Sequence, residues 1–279
     1  MMKDTGMAQF TENRWLVEHL RDLRDVMAPA ALRANTLRLA GLADDYIPVA
    51  TAIGEVFIAY NTTGVSAVMR TATAEDFEAA FAVRFGRRVV PADERPERLL
   101  RILRAWLAGD NRAHVAVDLR GLSEFERAVL LKAREIPCGQ VRPYGWVARE
   151  IGRPQAVRAV GTALARNPIP LILPCHRVTR SDGHIGAYSM GGPEAKITLL
   201  KHEQVPIEQI EDLATQKLRY YGSDSTHIYC YPTCYHAQRV ATAHRVTFRS
   251  ELEASAAGYR PCKVCRPPLA SDQPSQRGA

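Results

Sequence analysis

The chain has 279 residues, 46% hydrophobic and 24% charged, an ordinary globular composition with room for two or three small domains. No apolar run approaches the roughly 18 residues of a membrane span, and the first ten residues lack the positive-then-apolar pattern of a secretory leader. A cytoplasmic protein without a membrane partner is expected. The formal net charge of +7 is concentrated, since residues 119–180 hold 11 basic and 4 acidic side chains, an excess suited to neutralising phosphates.

In chain order, Leu16, Leu20, Leu23 and Met27 fall at helical spacing and predict a helix over 11–34, within an N-terminal helical extension spanning 1–45. Residues 46–118 read as a small α/β unit. Strands are predicted over 46–53, 55–60 and 65–69, helices over 74–85 and 96–108, and a further alternating strand over 114–118. Residues 119–203 are mostly helical. Ser123-x-x-Glu126 is a capping box opening a helix that runs to Arg134. Short helices over 144–151 and 154–165, with Gly152-Arg153 turning between them, have the form of a helix-turn-helix. A polar, partly helical linker follows over 204–222, then a cysteine module over 223–269, then a polar tail over 270–279 expected to be disordered.

The apolar run 169–173 closes on Pro174-Cys175-His176-Arg177. A thiolate is the nucleophilic form, and a free thiol ionises only near about pH 8.5. His176 could orient or deprotonate Cys175, directly or through water, and a carboxylate is needed to hold the imidazole. Glu203, in Leu199-Leu200-Lys201-His202-Glu203, is a candidate. An isolated Cys-His pair is more often buried filler, but a basic helix-turn-helix directly upstream points to chemistry on DNA.

The surrounding string runs Ile136-Pro137-Cys138-Gly139-Gln140-Val141, Tyr144, Gly152-Arg153-Pro154, Ala156-Val157-Arg158-Ala159-Val160-Gly161, Asn167-Pro168-Ile169-Pro170 and Pro174-Cys175-His176-Arg177-Val178. It closes with Gly183-x-x-Gly186-x-Tyr188 and Leu199-Leu200-x-His202-Glu203. In order and spacing it resembles the O6-alkylguanine-DNA alkyltransferases (methylated-DNA–protein-cysteine methyltransferases).

The resemblance implies a ribonuclease-H-like α/β subdomain over 46–118 and a helix-turn-helix, winged-helix-like catalytic subdomain over 119–203. It implies irreversible, once-per-molecule alkyl transfer from O6-alkylguanine in double-stranded DNA to Cys175, after the nucleotide is flipped out. Glu203, His176 and a water would form the relay that deprotonates Cys175. Tyr188 would donate to the leaving guanine, Ser189 would sit near O6, and Asn167 would brace the loop. Tyr144 would crowd the target phosphate and Arg158 would enter the gap left by the base. Ala156, Ala159, Gly161 and Ala163 would permit close approach to the minor groove, with Arg166 and Arg177 as further DNA contacts. The stretch Ser189-Met190-Gly191-Gly192-Pro193 is one residue longer than in many members, and Lys196-Ile197-Thr198 stands where Lys-Glu-Trp is usual.

Cys230-x3-Cys234 and Cys262-x2-Cys265, 27 residues apart, form a tetrahedral-zinc signature. The strings around them, Thr226-His227-Ile228-Tyr229-Cys230-Tyr231-Pro232-Thr233-Cys234 and Gly258-Tyr259-Arg260-Pro261-Cys262-Lys263-Val264-Cys265-Arg266-Pro267, resemble the Ada zinc domain. That resemblance implies one Zn2+ and methyl transfer from methyl phosphotriesters to Cys230. His227, His236 and His244 are read as surface or DNA-facing. In Ada the zinc module comes first and an AraC-type segment follows. Here the module is C-terminal, and 205–222 is too short for two AraC-type units. A small-molecule cofactor is not expected, and a monomer is. Two rival readings are a methylation-responsive DNA-binding sensor in which the zinc site is structural or signalling, and a thiol hydrolase; turnover separates the last from an alkyl acceptor.

Overall fold

The computed structural model describes residues 30–110 and 112–269. The predicted helix over 11–34 falls mostly, and the tail over 270–279 wholly, outside the described residues. Helix α1 (Ala30–Leu39) leads into strands β1 (Ala43–Thr51), β2 (Gly54–Tyr60) and β3 (Val65–Met69), then helix α2 (Ala74–Phe85), strand β4 (Arg88–Pro91) and helix α3 (Glu97–Leu107). The sheet order is β3-β2-β1-β4, with β1 antiparallel to β2 and parallel to β4.

Alternation along the strands sorts the side chains into two layers. Tyr46, Phe57, Ala59 and Val89 pack with Phe77 and Phe81 of α2 on one face. Ile47, Val49, Val56 and Ile58 face Leu100, Leu103 and Trp106 of α3 and the core of the helical unit on the other. Phe77 and Phe81 are fully buried, each stabilising the fold by about 1.5–3 kcal/mol relative to exposure. Helix α2 starts where Thr73 accepts from the Asp76 N–H and stops at left-handed Gly86, a position that favours glycine.

The expected strand over 114–118 forms only a bridge between Val65 and Val117. The segment lies so close to Gly64 that a Cβ there would meet the Ala116 backbone at 2.5 Å. The edge of β3 is instead covered by the helical unit, where the Val68 N–H donates to Pro168 O at 2.9 Å.

The helical unit holds α4 (Glu124–Arg134), whose reciprocal Ser123–Glu126 capping box is formed, α5 (Tyr144–Glu150) and α6 (Val157–Ala165). Helix α6 begins three residues later than expected. Ala156 N–H closes a turn on Arg153 O, so Pro154 and Gln155 lie in the turn. Strand β5 (Arg142–Pro143) pairs in parallel with β6 (Val178–Thr179), and helix α7 (Gly192–His202) precedes α8 (Ile207–Thr215).

The C-terminal module is a second four-stranded sheet, β10-β8-β7-β9, built from β7 (Tyr220–Ser223), β8 (Ile228–Cys230), β9 (Arg245–Phe248) and β10 (Arg260–Pro261), with α9 (Tyr235–Gln238) and α10 (Glu251–Ala256). The segment read as the end of a linker is therefore a central strand. Tyr220 and Tyr221 are buried, and a Cβ on Gly222 would meet Phe248 and Tyr259 at 2.7 Å. Tertiary packing, not polarity, decides that segment. The module shares one continuous apolar core with the helical unit. No helix among the described residues is long and apolar enough to cross a membrane.

Candidate thiol site and metal centre

Cys175 opens a one-turn 3-10 helix, Cys175–Arg177, at the end of a buried loop. Asn167 braces that loop. Its Nδ2 donates to Leu173 O at 2.7 Å and to Cys175 Sγ at 3.2 Å, and its Oδ1 accepts from the Ile169 N–H at 2.9 Å. Leu171, at the tip, has φ of 72°, a strained backbone for a residue with a Cβ. Trp106 Nε1–H donates to Leu171 O at 3.1 Å and ties this strained point to α3.

His176 Nε2 lies 2.8 Å from Glu203 Oε1. Glu203 caps the C-terminus of α7. Arg177 grips the same carboxylate from Nε and Nη2, both at 2.9 Å, and donates from Nη1 to Ile136 O at 2.7 Å. His176 Nδ1 and the Tyr188 hydroxyl are buried without a hydrogen-bond partner among the described residues, and their rings meet edge to face at 6.2 Å. A cavity of about 570 Å3 lies behind His176 and Glu203, against Val49–Ala52 and Arg104.

Burial sets the electrostatics. It pushes the Cys175 thiol up, against the Asn167 hydrogen bond and the nearby Lys196 charge, which both favour the thiolate. It holds His176 below the ordinary histidine range, against the pull of Glu203, so the imidazole is neutral and can accept a proton. Burial alone would raise Glu203, but the His176 and Arg177 hydrogen bonds and charges outweigh it and hold the carboxyl at about 2. Lys196 is fully buried, donates to Val178 O at 2.6 Å, and is lowered to about 8 by burial.

On α6, Arg158 and Ala159 are exposed, Ala156 and Gly161 are half-buried, and Arg166 is an exposed C-cap. Ala163 is buried and faces the core, so it does not belong to the groove-facing set. Tyr144 is half-buried at the start of α5, and a Cβ on Gly161 would stand 4.0 Å from its ring. Ser189 is exposed beside buried Tyr188 and Met190.

The sulfurs of Cys230, Cys234, Cys262 and Cys265 lie within 4.8 Å of one another. Four thiolates about 2.3 Å from one zinc would stand roughly 3.8 Å apart, so the cluster fits a single tetrahedral ion. The module is fastened to α5. Trp146 Nε1–H donates to Cys265 O at 3.0 Å, the Val141 N–H donates to Thr233 Oγ1 at 3.0 Å, and Arg266 pairs with Glu150 at 2.8 Å.

Residues 124–205 match the family model described as the DNA-binding domain of 6-O-methylguanine DNA methyltransferase, and 209–268 match the metal-binding domain of Ada. The methylated-DNA–protein-cysteine methyltransferase of Mycolicibacterium paratuberculosis is 45% identical over 103 residues, 37% of this chain and 61% of that one. The rat protein of that name is 48% identical over 86 residues, 30% of this chain and 41% of that one. The chain belongs to the methylated-DNA–protein-cysteine methyltransferase family. It spans between about two fifths and two thirds of the curated relatives it matches. The crystal structure of the Mycobacterium tuberculosis O6-methylguanine methyltransferase is 30% identical, covering 58% of this chain and 93% of that one, with a TM-score of 0.48.

In this methyltransferase-family chain the C-terminal Ada-type domain carries one zinc site, formed by Cys230, Cys234, Cys262 and Cys265. Arg177, expected at the DNA, is buried and clamped on Glu203, so it cannot reach a phosphate. No role is legible in the sequence for Trp106 or Leu171, and Lys196 stands out there only beside the departure at Ile197-Thr198. Lys196 gave a signal, a lysine among apolar residues close to Leu199-Leu200. The left-handed Leu171 gave none, because no glycine or asparagine marks it.

Proposed function

We propose that this chain repairs DNA by moving an alkyl group from O6 of guanine to Cys175. Support comes from one arrangement, a buried cysteine held by Asn167 beside a neutral histidine whose far nitrogen is fixed by Glu203. In this reading the Cys175 proton passes through water to His176 Nδ1, and the imidazolium is held by Glu203. The sulfur attacks the alkyl carbon, a C–S bond forms and the C–O6 bond breaks. The electron pair stays on the guanine, whose new charge the Tyr188 hydroxyl meets with a hydrogen bond, with Ser189 near O6. A thioether is a poor leaving group, so each molecule acts once.

The target lies inside the duplex and must be flipped out. Helix α6 would enter the minor groove with Ala156, Ala159 and Gly161 against it, Arg158 filling the gap and Arg166 at the backbone. Tyr144 would press on the target phosphate. In fold terms, β1–β4 with α2 and α3 form a ribonuclease-H-like subdomain, and α4–α6 with β5 and β6 a winged-helix-like reader. The protein would act as a monomer on double-stranded DNA carrying alkylation damage.

The C-terminal domain would accept a second methyl on Cys230, from a methyl phosphotriester. The sulfur takes the methyl carbon, the C–O bond breaks, and the phosphodiester leaves as an anion. Zinc, when bound, would keep the thiols deprotonated while leaving them nucleophilic. Cys230 and Cys262 line a cavity of about 320 Å3 with His236, Arg260 and Lys263, whereas Cys234 and Cys265 are fully shielded.

The test incubates the zinc-loaded protein with duplexes labelled at O6-methylguanine or at methyl phosphotriesters, then maps the added mass. One methyl on Cys175 from the first and one on Cys230 from the second are expected. No methyl on Cys175 in folded protein would sink the central claim and favour the sensor reading.

A further inference from the structure

A second feature lies where the zinc domain meets the helix-turn-helix. A groove of about 580 Å3 runs along this seam. One end is formed by Pro154, Gln155 and Val157, the entry to α6. Its walls carry Arg149 and Arg180 from the catalytic side and Arg219 and Arg249 from the zinc-domain side, over an apolar floor that includes Trp146 and Tyr231.

These arginines are not spent equally inside the protein. Arg149 donates to Arg266 O, and Arg180 pairs with Asp182. Arg219 is half-buried; its Nη1 is buried without a hydrogen-bond partner among the described residues and sits where a Cβ on Gly183 would meet it at 2.7 Å. Arg249 is exposed, and among the described residues its guanidinium pairs with no carboxylate. Arg153 and Arg158 stand exposed beside the same end of α6. The acids at the groove are few. Glu251 is buried and accepts from the Tyr220 hydroxyl at 3.4 Å, and Asp182 is taken by Arg180. The groove therefore carries an uncompensated positive charge that continues the basic face of the helix-turn-helix.

We propose that this seam holds the phosphate backbone of the duplex that α6 reads, with Arg219 and Arg249 as its phosphate contacts. The zinc domain is then a second jaw on the DNA, whether or not Cys230 accepts a methyl. The proposal rests on the DNA-reading role given above. The occupant follows from charge and continuity. A backbone leaving the end of α6 passes the groove mouth, and a row of guanidiniums along two walls suits successive phosphates.

The experiment measures the affinity of the zinc-loaded protein for an undamaged duplex across salt concentrations, for wild type, Arg249→Gln, and Arg219→Gln with Arg249→Gln. Each lost phosphate contact lowers the slope of log affinity against log salt by about 0.9, so a fall of roughly 0.9 for the single variant and 1.8 for the double is expected. Zinc content, unchanged at one ion per chain, shows that the fold is kept. If the double variant misfolds, exposed Arg249 alone carries the test. Unchanged slopes in folded variants overturn the seam while leaving the α6 reading intact. A wild-type protein with no salt-dependent duplex binding overturns both. Unchanged slopes together with saturable binding of a free mononucleotide, lost in the variants, would overturn the duplex assignment in favour of a nucleotide pocket.

Discussion

The indole N–H of Trp146 points at the backbone carbonyl of Cys265, 3.0 Å away, so helix α5 is bonded to a zinc ligand residue. Trp146 is buried, with the guanidinium carbons of Arg142 and Arg266 at 5.9 and 5.7 Å from its ring. Arg142 also lies 5.3 Å over Tyr231 of the zinc domain. One ring thus serves both halves of the molecule, and the metal site and α5 should respond to each other.

Trp146→Phe tests that link. The substitution keeps the ring volume roughly but leaves the Cys265 carbonyl without its donor, which costs about 1–3 kcal/mol for a buried group. Urea unfolding monitored by circular dichroism should show that loss. Chelation of zinc should shift tryptophan emission in the wild type and leave the variant's emission nearly unmoved. Equal responses in the two proteins would mean that Trp146 does not sense the metal site.

Glu203→Gln tests the relay and its pH dependence together. His176 sits below its ordinary value of 6.5, so as pH falls the unfolded chain takes up that proton first and stability declines from about there. Glu203 sits at about 2, below its ordinary 4.5. Its contribution, about 3 kcal/mol for a shift of this size, is present above 4.5 and lost as pH falls towards 2. The amide removes that acid arm and leaves Arg177 buried without its carboxylate, a loss of about 3–5 kcal/mol at neutral pH. Denaturation midpoints measured from pH 7 down to 3 should show a lower, flatter curve for the variant. A curve parallel to wild type between pH 5 and 3 would refute the assignment to Glu203.

These two cases mark what was legible in the sequence and what was not. The Ser123–Glu126 box and the four cysteines are local signals, because capping and metal ligation depend on spacing within a few residues. Strand β7 was hidden, because Tyr220 and Tyr221 become a buried central strand only once β8 and β9 flank them. Arg177 looked like a DNA contact beside His176, and only the fold shows that Glu203, 26 residues on, claims its guanidinium. Leu171 is left-handed through tertiary restraint, which leaves no mark in residue type.

Lys196→Met tests a charge the motif string did not flag. The ammonium is fully buried and donates to the Val178 carbonyl at 2.6 Å. It favours the Cys175 thiolate against burial, but only below about 8, where it is itself protonated. Removing it should raise the thiol pKa and slow the reaction of Cys175 with iodoacetamide at pH 7 by about tenfold, the equivalent of one pKa unit. Mass mapping of the labelled cysteine gives the rate. An unchanged rate in folded protein would show that Lys196 only holds the Val178 strand.

Trp106→Phe tests the strained loop. Leu171 keeps φ of 72°, a conformation that costs on the order of 1–3 kcal/mol unless its surroundings impose it. Among those surroundings is the Trp106 N–H on the Leu171 carbonyl. Releasing that carbonyl should let the segment between Asn167 and Cys175 relax. A nucleophile moved by about 1 Å can lose on the order of 100-fold in rate, so even partial relaxation should slow alkyl transfer about tenfold. The stability loss should be about 1–3 kcal/mol, the cost of leaving the buried Leu171 carbonyl without its donor. Single-turnover transfer from an O6-methylguanine duplex, followed beside urea unfolding, separates the two effects. A variant that loses stability and transfers at the wild-type rate would show that Trp106 supports the core without positioning the thiol.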